Sequence, residues 1–161
     1  VNLWPSHTET LVSALSKEEV LSYLTKVTRE TNFLDQRTQH KKPILFNGII
    51  GKNGFRVSKV VDKADSFLPV ILGKIEMTPR GSIIFLKYKL FPGSLSFMIF
   101  WSLVLIAFSL FYFFLRSNFL YGSICIGLGV INYLVALYFF NRQVKNSRKV
   151  FYKIITFEMK D

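Results

Sequence analysis

The sequence predicts an α+β membrane protein: an N-terminal helix and an antiparallel meander of about four strands, then an antiparallel transmembrane helical hairpin and a short C-terminal helix. Three observations lead there. Charge is segregated, since Arg116 is the only charged side chain in residues 94–140 while every other cation and all 10 acidic residues lie in 1–93 or 141–161. That stretch holds two uncharged runs, each long enough to cross a bilayer as a helix. Ahead of it, short apolar runs alternate with turn-forming Gly, Pro and Asn. With half its residues hydrophobic and a net charge of +11, the chain is neither disordered nor an ordinary soluble globule. Cys125 is the single cysteine, which excludes an internal disulfide framework.

Residues 1–93 read as a cytoplasmic α+β domain. Ser16-Lys17-Glu18-Glu19 has the form of a capping box, with Ser16 as N-cap and Glu19 three residues on. The helix it opens carries Val20, Leu21, Leu24 and Val27 on one face and fades near Thr28 to Thr31. Asp35 to Lys42 is polar and turn-like. Strands are expected over Ile44–Ile50, Phe55–Val61, Leu68–Met77 and Ser82–Leu90, with turns at Gly51-Lys52-Asn53-Gly54 and Pro79-Arg80-Gly81. The last strand runs through Phe91-Pro92-Gly93 directly into the first apolar run.

That run, residues 94–115, gives about 33 Å of helix at 1.5 Å per residue, enough for a hydrocarbon core of about 30 Å. The second, residues 120–140, is equally free of charge. The turn between them, residues 116–119, is short enough to force an antiparallel hairpin. Neither run lies near the N-terminus, so neither reads as a cleaved signal peptide. Arg116 is the lone cation of the turn, whereas Arg80, Lys87 and Lys89 precede the first span and Arg142, Lys145, Arg148, Lys149 and Lys153 follow the second. The positive-inside rule places the turn outside and both termini in the cytoplasm. Tyr112 and Tyr121 sit near the turn, where amphipathic rings favour the interface. For residues 141–161 two readings stand: a short helix packing on the sheet through Val144, Phe151, Ile154, Ile155 and Met159, or a basic tail on lipid.

No catalytic constellation is visible. His7 and His40 lie in polar sequence, Glu18 and Glu19 point apart on a helix, Asp62 and Asp65 flank a turn, and no HExxH, CxxC, GxSxG or GxxxxGK[ST] pattern occurs. The expectation is a chain without enzymatic activity, cofactor or metal. Ser123 and Gly127 form a small-xxx-small pair flanked by Gly122 and Gly129, with Asn132 the one strongly polar side chain in mid-span. Small residues let helices approach closely in lipid, so these five are the candidate helix-packing or partner interface, within the hairpin or between molecules. Lys87, Lys89, Arg142, Lys145, Arg148 and Lys149 are the candidate contacts to anionic lipid head groups, each contributing on the order of 1 kcal/mol near that surface. Nothing RNP-like, helix-turn-helix-like or Arg-rich supports nucleic-acid binding.

The order LSKEEVL, FNGIIGKNGFRVSKVV, SFLPVILGKIEM, GSIIFLKYKLFP and FMIFW resembles a group of small uncharacterised bacterial membrane proteins, over about residues 11–115. The resemblance implies a strand-rich cytoplasmic segment, a two-helix hairpin and a bacterial inner membrane, and it carries no activity. The expected function is that of a non-catalytic accessory or assembly subunit binding a membrane-protein partner or itself. Two alternatives are an oligomeric membrane-permeabilising effector with a cytoplasmic sensor domain, and a membrane-anchored domain binding lipid or a small ligand.

Overall fold

The computed structural model describes residues 4–30, 44–61 and 65–157. Expectations placed on Asp35 to Lys42, which include His40, and on Asp62 and Met159 lie outside the described residues. The fold is α+β, but the sheet has six strands rather than four and is mixed rather than antiparallel. Its strands are β1 (Ser6–Ser13), β2 (Thr28–Glu30), β3 (Phe46–Ile50), β4 (Gly54–Lys59), β5 (Pro69–Thr78) and β6 (Gly81–Leu90), in spatial order β1-β6-β5-β4-β3-β2. The meander β3 to β6 is the expected one. The first element, however, is a strand and not a helix: β1 precedes α1 (Lys17–Val27) and pairs antiparallel with β6, Ser6 opposite Lys89 and Ser13 opposite Ser82. Its inward positions include His7, Glu9 and Ser13, so the apolar alternation that betrays a half-buried strand is missing. The short β2 follows α1 without a loop and runs parallel to β3; β-branched Val27-Thr28 leaves the helix directly for extended backbone, Thr28 having φ −108° and ψ 129°.

The capping box forms as expected: the Ser16 hydroxyl accepts from the Glu19 N–H at 3.2 Å and the Glu19 carboxylate accepts from the Ser16 N–H at 2.7 Å. On the inner face of the sheet Phe46, Phe55, Val57, Ile71, Ile75, Ile84, Leu86, Tyr88 and Leu90 form one buried core. Gly73 faces inward in β5, and the ring of Phe55 occupies the space a Cβ would take. Val20 and Leu24 of α1 cover part of this core.

The rest of the cover comes from the chain's last helix. After Phe91, α2 (Pro92–Leu110) starts with proline at its first turn, which needs no N–H partner there, and continues as a π-helical turn, Phe111–Leu115. The chain reverses at 116–118, where Ser117 takes φ 48° and the Asn118 side chain accepts from the Tyr121 N–H at 3.3 Å. Tyr112 and Tyr121 meet beside this turn, ring centroids 5.5 Å apart. From there α3 (Phe119–Phe157) is one helix of 39 residues, about 58 Å long. The separate short C-terminal helix of the sequence reading is therefore absent. Residues 130–157 contain neither Gly nor Pro, so nothing in the chain stops the helix where its composition turns polar. Beyond Phe140 it lies over the inner sheet face and adds Phe140, Val144, Phe151 and Ile155 to the core. Phe151 is fully buried, stacked on Phe55 at 5.6 Å and edge-on to Phe46 at 6.3 Å.

Two helical stretches, Pro92–Leu115 and Phe119–Ile155, are long and apolar enough to cross a membrane, with mean hydropathies of 2.3 and 2.0 over their most apolar 18 residues. Core helices of a soluble protein are mostly covered by their own chain; here only 11% and 17% of the most apolar stretches are buried.

Candidate functional site: the junction of hairpin and sheet

Among the described residues, three connections hold the hairpin to the sheet. A single residue, Phe91, separates β6 from α2, in the extended conformation (φ −58°, ψ 136°) that a following proline favours. The unbroken α3 is the second. The third is the link ahead of β5: Asp65 accepts the Phe67 N–H at 2.8 Å and a second hydrogen bond from the Gln143 amide, while the Phe67 ring stacks on Phe139 at 5.6 Å. These connections frame a cavity of about 440 Å³ whose walls include Phe67, Ser94, Phe97, Met98, Asn132 and Ala136.

The five small or polar residues singled out in the second apolar run divide between two sides of α3. Gly122 is buried against α2: its carbonyl accepts the Ser109 hydroxyl at 3.1 Å, and a Cβ there would come within 2.6 Å of the Phe113 ring. Gly129, two turns on, faces Leu105, whose side chain would lie 3.8 Å from a Cβ placed there, and Asn132 borders the junction cavity. Ser123 and Gly127 are exposed on the other side, and a Cβ on Gly127 would meet nothing within 4 Å. The glycines at 122 and 129 thus serve the hairpin itself, while the Ser123/Gly127 pair faces away from it. A second, almost wholly apolar cleft of about 310 Å³ lies between the helices, bordered by Leu105, Ile106, Cys125, Gly129 and Tyr133.

The six cations singled out are also divided. Lys87 and Lys89 point from the outer face of β6, and Arg142, Lys145 and Lys149 are exposed along α3. Arg148 instead bonds within the protein. Its Nε lies 2.8 Å from Oε2 of Glu9, its guanidinium packs 5.2 Å over the Tyr152 ring, and it donates to the Tyr152 hydroxyl at 3.3 Å. The Glu9 side chain is only 7% exposed, and His7 Nε2 stands 3.8 Å from the same oxygen. His7 in turn packs against Tyr88, ring centroids 5.9 Å apart. Burial first, then the Glu9 charge, pushes the Tyr88 phenol far above its usual range. The hydrogen bond to Tyr152 is the main cause that raises Arg148. The Tyr88 phenol keeps its proton at any neutral pH and the Glu9 carboxylate is tied to a guanidinium, so the arrangement acts as a polar clamp between β1 and α3. Sequence reasoning did not find it. The signal was there: Val144, Arg148, Phe151 and Ile155 share the helical spacing of the buried face, which puts a cation in an apolar series.

Among the described residues no three of His, Cys, Asp and Glu come together in a way that could hold a metal ion. No family model, curated protein or solved structure matches the chain.

Proposed function

We propose that this chain is a non-catalytic two-pass integral membrane protein, an accessory or assembly subunit that binds a membrane-protein partner. In this reading the sheet and both termini lie on the cytoplasmic side of a bacterial inner membrane. The observation that carries it is the continuity of α3, which leaves an almost uncovered apolar hairpin and enters the core of the sheet without a break. A sheet built around a helix that rises out of lipid is held at the bilayer at a set height and orientation, which suits presentation of a surface to a neighbouring protein. The uncovered hairpin supplies apolar surface for lipid and for a second helix, with Ser123 and Gly127 as the place of closest approach.

The distribution of cations supports the orientation, since the turn at 116–118 offers Arg116 alone. Lys89, Arg142 and Lys145 are nearest the ends of the apolar runs and would meet anionic head groups. Because α3 continues unbroken past Phe140, Lys149 stands about 13 Å further along its axis, more than a Debye length of about 8 Å, and would gain less from lipid. Cross-linking in native membranes followed by mass spectrometry tests the proposal. A stoichiometric membrane-protein partner, or a defined oligomer of the chain itself, is the expected result. A monomer without partner in several mild detergents would contradict it, as would release of the chain from membranes by alkaline carbonate.

A further inference from the structure

The sheet has two faces, and α1 and α3 cover only one. The strand registers order the other into rungs. One rung runs Thr8, Lys87, Leu72, Arg56, Ile49; the rung towards α2 runs Lys89, Val70, Ser58, Asn47; the rung on the far side runs Thr10, Phe85, Lys74. With neighbouring strands about 4.8 Å apart, Lys87 and Arg56 stand roughly 10 Å from one another across Leu72. Both are exposed, as is Lys89, and among the described residues none of the three enters an ion pair. Among the described residues, Glu76 is the one acidic side chain on this face, and it is taken by Lys74 at 2.7 Å. Ile49 and Phe85 are exposed apolar groups here, 63% and 40% accessible. The surface is indented beside the Leu72–Arg56 pair, with hollows of about 480 Å³ around Phe85 and Lys87 and about 300 Å³ around Ile49, Arg56 and Val70.

We infer that this open face docks an acidic segment of a partner polypeptide, its carboxylates meeting Lys87, Lys89 and Arg56 and its apolar side chains seated in the hollows beside Phe85 and Ile49. The inference rests on the membrane-anchored reading above and names the chemistry of the partner. Charge selects the occupant. Exposed cations interleaved with apolar side chains complement a chain that alternates acidic and apolar residues, and a second copy of the same cationic face would be repelled. A bilayer is flat and meets only the Lys89 end, because successive rungs step away from α2 by about 6.7 Å each. Single-stranded nucleic acid stacks its bases on aromatic platforms, and this face presents one phenylalanine among its rungs.

The test uses the full chain in nanodiscs of phosphatidylcholine alone, so that no anionic lipid competes. The probe is a fluorescent twelve-residue peptide, three repeats of Glu-Ser-Glu-Leu, followed by anisotropy. Saturable binding that weakens with salt is expected, with affinity about tenfold lower for Lys87→Glu combined with Arg56→Glu. The milder Lys87→Gln and Arg56→Gln variants, which keep the sheet's packing intact, should each lose about threefold. Lys52→Glu, in the β3–β4 turn off this face, should change nothing. Equal binding by wild type and all the face variants overturns the inference, as does absence of binding or tighter binding of a twelve-nucleotide oligouridylate. Carbonate extraction of the same chain reads the anchoring separately, so failure of one proposal is distinguishable from failure of the other.

Discussion

Replacing Phe151 by alanine asks how far the sheet depends on the helix that rises from the hairpin. The side chain is fully buried, stacked on Phe55 and edge-on to Phe46, so its loss removes the ring's transfer energy and opens a cavity. Such truncations destabilise by about 3–5 kcal/mol. In a domain of this size each kcal/mol moves Tm by about 4–8 °C, so the thermal transition of the sheet should fall by on the order of 12–40 °C. Phe55, lying over Gly73, cannot move into the gap without losing its contact with β5, which argues for the upper half of that range. The assay is the β-sheet circular dichroism transition of the full chain in nanodiscs, where helical signal from the hairpin persists. Leu103→Ala, on the exposed side of α2, serves as the comparison and should leave that transition unchanged. A drop below about 1 kcal/mol for Phe151→Ala would show that the sheet stands without α3.

Three further outcomes are expected. Arg148→Ala leaves the nearly buried Glu9 without its cation; since Arg148 is itself 48% exposed, solvent screens part of the effect and the loss should be on the order of 1–2 kcal/mol, largely relieved by Glu9→Gln in a double-mutant cycle. The raised Tyr88 pKa means that its stabilising contribution is complete below the phenol's unfolded value of about 10 and declines as pH climbs above it towards the folded value. Tyr88→Phe should therefore flatten the alkaline loss of stability measured by chemical denaturation, and parallel curves for the two proteins would count against the burial described. Gly122→Leu should disrupt the hairpin through Phe113, visible as faster proteolysis at 116–118, whereas Gly127→Leu should leave the hairpin intact and, if Ser123 and Gly127 form a contact between molecules, abolish cross-linking.

Much of the fold was legible because local chemistry and tertiary structure agree. The Ser16–Glu19 box, the turn at 51–54 and the alternation of β6 each have a physical signature of a few residues, and the expected strands meet the observed ones within two residues at each end. What stayed hidden depends on distant partners. His7 and Glu9, inward on β1, make sense only beside Tyr88 and Arg148, and β2 is three residues long. The continuity of α3 was obscured by a change of composition at 141, which marks a change of surroundings rather than of backbone. The glycines of the second run showed that helices approach closely there, but which side each one served required the crossing of α2 and α3 to be known.

The continuity of α3 is read by the distance between spin labels at Ser123→Cys and Lys149→Cys, with Cys125 replaced by Ser, in a nanodisc. An unbroken α3 spanning lipid and sheet predicts a Cα separation of about 39 Å from its rise of 1.5 Å per residue. A helix that ended near Asn141 and lay flat on the membrane would give about 30 Å by the same rise, and that result would contradict the account.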